Sequence, residues 1–254
     1  MIEHIPSLTS LIDRCAHRAA MHLRTKTAPL NDSGPIVSFT FDDVPESAFS
    51  VGAATLDAHG VKGTFYIAGA LCDTVDPDGR PLISSPECLE LHRRGHEIGC
   101  HTFSHRKVGS LGHQALDREI ERNQAFFSAI DSSIVLENFA YPYNQATPSS
   151  KLMLQRRFRS CRAGVPGVNV GSVDLGLLKT VEIRECAVSG ADLRNWIDEA
   201  SATRGWLIFL THDVGPNPGP WGCSPKLLET AVSYALSREC AVLSVRDSMR
   251  RIGL

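Results

Sequence analysis

Three segments of this sequence end apolar runs with side chains that bind metals or move protons. The run Phe39-Thr40-Phe41 leads into Asp42-Asp43. On an extended segment neighbouring side chains point in different directions, so one carboxylate can ligate a cation while the other stays free for proton transfer. An isolated Asp-Asp is more often a turn or a helix cap. His101-Thr102-Phe103-Ser104-His105 sets two imidazoles four residues apart. One helical turn would bring both to one face, a spacing that suits a divalent metal. A lone pair at this spacing is commonly two exposed or capping histidines. Its place after Gly95-His96-Glu97-Ile98-Gly99, at the end of a strand-like run, favours ligation. Leu210-Thr211-His212-Asp213 closes the run that starts at Trp206. A histidine there can protonate a leaving amine, or it can be a hydrogen-bonded structural residue; taken alone the two readings are even. Two His and one Asp leave coordination positions open for water and substrate, as a catalytic metal site requires.

These side chains need elements that bring them together. Strand-like runs fall at residues 36–41, 63–67, 97–101, 138–141, 160–163, 180–188, 206–211 and 241–245. Helix-like segments between them cover 47–59, 86–94, 114–130, 148–157, 190–203 and 225–237. Alternation of this kind implies parallel βαβ units. Continuously apolar strands imply a sheet covered on both faces. The expectation is a single α/β domain, either a barrel or a doubly wound sheet. Asp42 and Asp43, His101 and His105, Tyr141 to Tyr143, and His212 and Asp213 all stand at strand C-terminal ends, the edge where such folds build their sites.

Bulk properties narrow the partners. With 254 residues and 43% hydrophobic content, the chain can bury a sizeable core. A net charge of -2 without a basic block argues against nucleic acid. Apolar runs such as Trp206–Leu210 are too short to cross a bilayer. Met1–Ser10 lacks the basic start of a secretory signal, and no continuous apolar stretch follows it. Leu8, Leu11, Ile12, Cys15, Ala19 and Leu23 recur at helical spacing, read as an amphipathic helix packed on the domain in preference to a membrane anchor. Eight scattered cysteines without a C-x-x-C pair read as mostly reduced core residues of a cytoplasmic protein.

Taken in order, Thr40-Phe41-Asp42-Asp43, His101-Thr102-Phe103-Ser104-His105, Tyr141-Pro142-Tyr143 and Leu210-Thr211-His212 resemble the motifs of the polysaccharide deacetylase family, the NodB-homology group or carbohydrate esterase family four. The resemblance spans about Pro35 to Val245. It implies a single-domain distorted (β/α) barrel, set over residues 34–254; residues 1–33 lie outside it as the N-terminal helical segment packed on the domain. It also implies one divalent metal, usually Zn2+, sometimes Co2+ or Ni2+. By resemblance Asp43, His101 and His105 are the metal ligands, and Asp42 is the base toward metal-activated water. The backbone N–H of Tyr143 would hold the oxyanion, a contribution of roughly 3–4 kcal/mol to the barrier. His212 would protonate the departing nitrogen, and Leu210 would line the pocket for the acetyl methyl. The implied reaction removes N-acetyl groups from an amino-sugar oligosaccharide or polysaccharide.

The sequence also departs from the family pattern. Many members carry an Arg two residues before the Pro of the third motif, where it pairs with the base; here that residue is Ala140. Arg184, in Val181-Glu182-Ile183-Arg184, is the expected replacement. Without a cationic partner the pKa of Asp42 would stand higher. Val44 and Asn144 occupy positions where Gly is common. Asn tolerates a left-handed turn and Val does not, so the loop after Asp43 is expected to differ. Asp192 and Trp196 are candidates for the fourth motif, with Trp196 read as a core residue. Trp221, in a Pro- and Gly-rich loop, is read equally as a sugar-stacking ring or as a loop anchor. Three other functions stay open: a hydrolase of non-sugar, non-peptide amides, an O-acetyl esterase, and a metal-free sugar-binding protein. The intact Asp42, Asp43, His101, His105 and His212 set argues against the last.

Overall fold

The structure, a computed structural model, describes residues 8–30 and 33–254, with side chains from residue 12 onward. Residues 1–7 of the expected N-terminal segment lie outside the described residues. Helix α1 (Leu8–His22) and strand β1 (Thr27–Pro29) precede the central strand β2 (Ile36–Asp42). A π-helical stretch at Ala48–Ala53 runs into α2 (Ala54–Ala58), followed by β3 (Thr64–Ile67), α3 (Ser85–Arg93), β4 (Glu97–Cys100) and α4 (His113–Ile130). Next come β5 (Asn138–Ala140), α5 (Pro148–Arg157), β6 (Ser160–Arg162), β7 (Ser172–Asp174) and β8 (Val181–Glu182). The chain closes with α6 (Gly190–Thr203), β9 (Trp206–Thr211), α7 (Pro225–Ser237), β10 (Ala241–Val242) and α8 (Val245–Arg251).

The main sheet has the order β6-β5-β4-β3-β2-β9-β8, with β10 beside the start of β2. All of its pairings are parallel. It curls into a half-barrel with helices outside, one α/β domain as the alternating pattern implied. Every residue of β2, β3, β4 and β9 is buried, which explains their unbroken apolar runs. Phe41 stacks on Phe65 at 4.6 Å between ring centroids, and Phe39 on Phe209 at 5.5 Å. Each such ring contributes about 1.5–3 kcal/mol by leaving water. These contacts brace the strands just beneath their C-terminal ends.

Helix α1 lies against α5 through a buried cation. Lys151 Nζ donates to the carbonyls of Ala20 (2.8 Å) and Leu23 (2.5 Å), and to Asp174 Oδ2 of β7 (2.5 Å). One ammonium thereby joins the end of α1, α5 and the small antiparallel β1–β7 ribbon. Lys151→Met would leave the Asp174 carboxylate without its cation and two carbonyls without a donor. The expected loss is about 3–5 kcal/mol in chemical denaturation. A loss below about 1 kcal/mol would show the ammonium to be dispensable.

Candidate active site

Asp42 is the last residue of β2, and the chain turns sharply after it. Asp43 (φ 56°) and Val44 (φ 46°) both take the left-handed conformation. The turn that Val44 was expected to disfavour is therefore kept. Packing holds it, because Val44 is fully buried and its carbonyl accepts from the Ile83 N–H at 3.0 Å. Thr102, His105, Tyr143 and Asn144 are left-handed as well. Non-glycine residues in this region cost free energy and gather where a site needs unusual side-chain directions.

His101 follows β4, and His105 reaches the same point from a loop rather than from the next turn of a helix. Glu119 of α4 shapes that loop: its carboxylate accepts from the N–H groups of Phe103 (3.1 Å) and Ser104 (2.7 Å), and from the Ser104 hydroxyl (2.9 Å). His101 Nδ1 lies 2.9 Å from the Ala140 carbonyl and donates to it, which leaves Nε2 with a bare lone pair. Nε2 of His101 and of His105 stand 3.5 and 3.0 Å from Asp43 Oδ1. Burial pushes the His101 pKa down to about 3 and lowers that of His105, which favours the uncharged ring that metal ligation requires. Burial also raises Asp43 to about 6, against the pull of His212.

Asp43 Oδ1 is buried and has no hydrogen-bond partner despite these neighbours. One donor atom from each of Asp43, His101 and His105 lies within 4.8 Å of the others. One carboxylate and two imidazoles with donor atoms this close together fit a divalent cation. The carbonyl behind His101 is the outer partner that orients such a ligand.

Asp42 has a cation after all, and it is not Arg184. The Arg162 guanidinium, at the end of β6, donates to Asp42 Oδ1 across the inside of the curled sheet. It lies over the Tyr66 ring, 4.3 Å from the centroid. Burial disfavours the Asp42 anion. Arg162, then His101 and His212, outweigh burial and hold the carboxyl below its ordinary range. Arg184 follows the short β8 at the rim. Its Nε is 3.3 Å from Glu182, and its guanidinium lies 4.7 Å from the centre of the Trp221 ring. Arg162 was missed as a site residue; its one local signal was a charged residue closing a short buried strand.

His212 follows β9 with Nε2 3.9 Å from Asp43 Oδ2. The next residue, Asp213, accepts from the Gly219 N–H at 2.7 Å and sits 3.2 Å from Arg80, which anchors the loop bearing Trp221. Trp221 is 48% exposed at the cleft mouth, 6.3 Å from the His212 ring. Tyr143 leans on His105 on the other side, the ring centroids 4.7 Å apart and the planes tilted by 41°. Leu210 is buried within β9 and is not among the cleft-lining residues. Asp192 caps α6 through Ser189, and Trp196 packs against the core. The cleft over Asp42, Asp43, His101 and His105 holds about 470 Å3. It shares Asp43, His105, Tyr143, His212 and Trp221 with a neighbouring hollow of about 480 Å3 under the 75–82 loop.

The sequence model of a family described as polysaccharide deacetylase matches residues 30–156, half of the chain. The chain belongs to the polysaccharide deacetylase family. It is thus an enzyme of a family of hydrolases. No curated protein sequence matches it. Solved structures share the fold at low identity. A family 4 acetyl xylan esterase from Clostridium thermocellum, in complex with a cobalt ion, is 19% identical with a TM-score of 0.57, covering 85% of this chain and 90% of its own. The catalytic domain of a peptidoglycan N-acetylglucosamine deacetylase from Eubacterium rectale is 18% identical with a TM-score of 0.54, covering 88% and 93%. The Bc1960 peptidoglycan N-acetylglucosamine deacetylase is 16% identical with a TM-score of 0.61, covering 89% and 92%.

Proposed function

We propose that this enzyme is a divalent-metal-dependent deacetylase that removes N-acetyl groups from an amino-sugar oligosaccharide or polysaccharide. The convergence of Asp43, His101 and His105 beside an Asp42 held by Arg162 carries this reading. The three converging residues would hold the cation, Zn2+ in the first place and Co2+ or Ni2+ as substitutes. Such a cation supplies Lewis acidity to an acyl carbonyl and makes water acidic enough to attack near neutral pH.

The chain's own groups do the rest. Asp42 Oδ1 is taken by Arg162, so Oδ2 is the atom that accepts the proton of the attacking water. The Arg162 cation keeps that carboxyl ionised at neutral pH. His212, across the cleft, gives a proton to the departing sugar nitrogen. The Tyr143 N–H, presented from a left-handed turn, stabilises the oxyanion. Trp221 and Tyr143, both about half exposed, flank the opening as platforms for sugar rings.

The test is acetate release from N-acetylglucosamine oligomers by purified protein, with and without added zinc or cobalt. Metal-dependent release supports the proposal. Binding of metal without release would move the substrate to a non-sugar amide. Absence of metal binding would leave a sugar-binding protein. Trp221→Ala is expected to raise KM on oligomers about three- to tenfold with kcat nearly unchanged. Because the ring is half exposed, the fold should survive; unfolding of the variant would make Trp221 a loop anchor instead.

A further inference from the structure

The 75–82 loop folds back on itself and offers Arg80 to the loop that carries Trp221. Val75 pairs with Pro81, and the Asp76 N–H donates to the Arg80 carbonyl at 2.9 Å. In return the Arg80 N–H donates to Asp76 Oδ1 at 2.9 Å. The same carboxylate fixes the guanidinium, with Nε 2.7 Å from Asp76 Oδ2, and Nη2 faces Asp78 at 3.3 Å. The remaining nitrogen, Nη1, stands 3.2 Å from Asp213 Oδ1. Arg80, Asp213 and Trp221 line one hollow, which reaches His212 and Asp43.

Asp213 closes the Trp221 loop. Its Oδ2 accepts from the Gly219 N–H at 2.7 Å, and its carbonyl accepts from the Cys223 N–H at 3.0 Å. The residue is 5% exposed, and its Oδ1 makes no hydrogen bond. A buried carboxylate oxygen costs free energy unless a cation faces it, and Arg80 is the cation that does. Two glycines make room for the pair. A Cβ at Gly219 would collide with the Arg80 guanidinium, and one at Gly222 with Asp213 Oδ1. Neither glycine takes a positive φ, so space and not backbone conformation calls for them. Trp221 lies between these two glycines. His212 is held differently: it follows β9, whose last residue, Thr211, donates its hydroxyl to the Ile183 carbonyl at 2.9 Å.

We propose that Arg80 is a positioning residue for substrate binding: through Asp213 it fixes the 213–223 loop so that Trp221 is held at the cleft mouth for a sugar ring. Each nitrogen of the guanidinium already faces a carboxylate, so Arg80 acts through the loop and leaves the chemistry to Asp42 and His212. This rests on the reading of Trp221 as a sugar platform of the deacetylase. Affinity for the glycan is thereby set in part from the 75–82 loop, which holds none of the converging metal-site residues.

The experiment uses the full chain as native protein and as Arg80→Met, Arg80→Lys and Asp213→Asn, each also combined with Trp221→Ala. Acetate release from N-acetylglucosamine oligomers in the presence of zinc gives KM and kcat, and calorimetry gives Kd. Acrylamide quenching of Trp221 is read as the fluorescence difference from the matching Trp221→Ala protein. Arg80→Met should raise KM and Kd about three- to tenfold, with kcat within about twofold and Trp221 more open to quenching. Asp213→Asn should do the same, and joining the two changes should add nothing. In the Trp221→Ala background Arg80→Met should raise KM no further. Arg80→Lys should recover part of the loss, since an ammonium can face Asp213 without also gripping Asp76. Unchanged quenching in Arg80→Met would overturn the proposal, as would an equal rise in KM without Trp221. A loss of kcat or of thermal stability with KM and Kd unmoved would also overturn it, leaving Arg80 a merely structural residue. Should Arg80→Met not fold, the isosteric Asp213→Asn decides by the same readouts. Failure of the native protein to release acetate, with quenching still altered in Arg80→Met, would retire the deacetylase reading and leave the loop contact standing.

Discussion

Asp43→Ala is expected to abolish acetate release and to remove the uptake of one divalent ion per chain. Asp43 is the carboxylate of the converging trio, and without it two neutral imidazoles are left to hold a dication. Lewis-acid assistance amounts to several kcal/mol, so kcat/KM should fall at least about a thousandfold. The fold should tolerate the change. Asp43 Oδ1 makes no hydrogen bond, and burial already disfavours its charge. The cost is confined to placing alanine at φ 56°, about 1 kcal/mol. Asp43→Asn avoids even that and still removes the charged ligand. Thermal unfolding separates the outcomes. Zinc at a hundred times its dissociation constant should stabilise the native protein by about 2.7 kcal/mol and neither variant. A variant that zinc still stabilises equally would show that Asp43 is not a ligand. A chelator should reproduce the loss of activity in the native protein, and added zinc should reverse it.

How far the sequence foretold this arrangement depended on the range of the interactions involved. The bounds of α5, α6, α7 and β9 were legible to the residue, because local chemistry sets them. Thr147 and Ser224 cap helices whose first residue is proline, and Ser189 and Asp192 form a capping box. The parallel α/β sheet followed from alternation and from unbroken apolar runs, whereas its curl came only from the family resemblance. Where tertiary contacts decide, local pattern failed. The strand expected over 180–188 stops at Glu182, since beyond it the chain turns back with Ala187 N–H bonded to the Arg184 carbonyl. The strand expected to reach Val245 gives way there to α8, anchored where Glu97 accepts from the Arg246 N–H. The β1–β7 ribbon has three residues a side, too few to show a period. His101 and His105 meet through left-handed turns held by Glu119, a contact that spacing alone does not reveal. The Arg162–Asp42 pair spans 120 positions and joins strands four places apart in the sheet order. Motif reading looks near the motif for a missing cation, and the curled sheet supplies it from the opposite wall.

That pair leads to the second large effect. Arg162→Leu should lower kcat at pH 7 by about 10²–10⁴-fold, the range typical of losing a positioned general base. Both side chains are nearly inaccessible, at 1% and 4% exposure, so no water replaces the lost guanidinium. Burial, the largest influence on Asp42, then acts unopposed by its main counter-charge and drives the carboxyl pKa up. The sign follows directly. In the native protein the depressed pKa keeps Asp42 ionised above its ordinary value of 3.8, and this contribution to stability disappears only as pH falls through the lower folded value. In the variant the base holds its proton to higher pH, so the acid limb of the kcat/KM profile should move upward. Forcing the carboxylate to remain ionised without its partner would cost about 3–5 kcal/mol. Stability therefore falls where Asp42 is charged and recovers on acidification. Arg162→Lys should restore the acid limb but only part of the rate, because an ammonium cannot reproduce a guanidinium placed over the Tyr66 ring. Adding Asp42→Asn to Arg162→Leu should regain stability while leaving the enzyme inactive, a coupling that a merely structural arginine would not show. An unchanged pH profile in Arg162→Leu, with the shift found in Arg184→Ala instead, would return the role to the rim arginine.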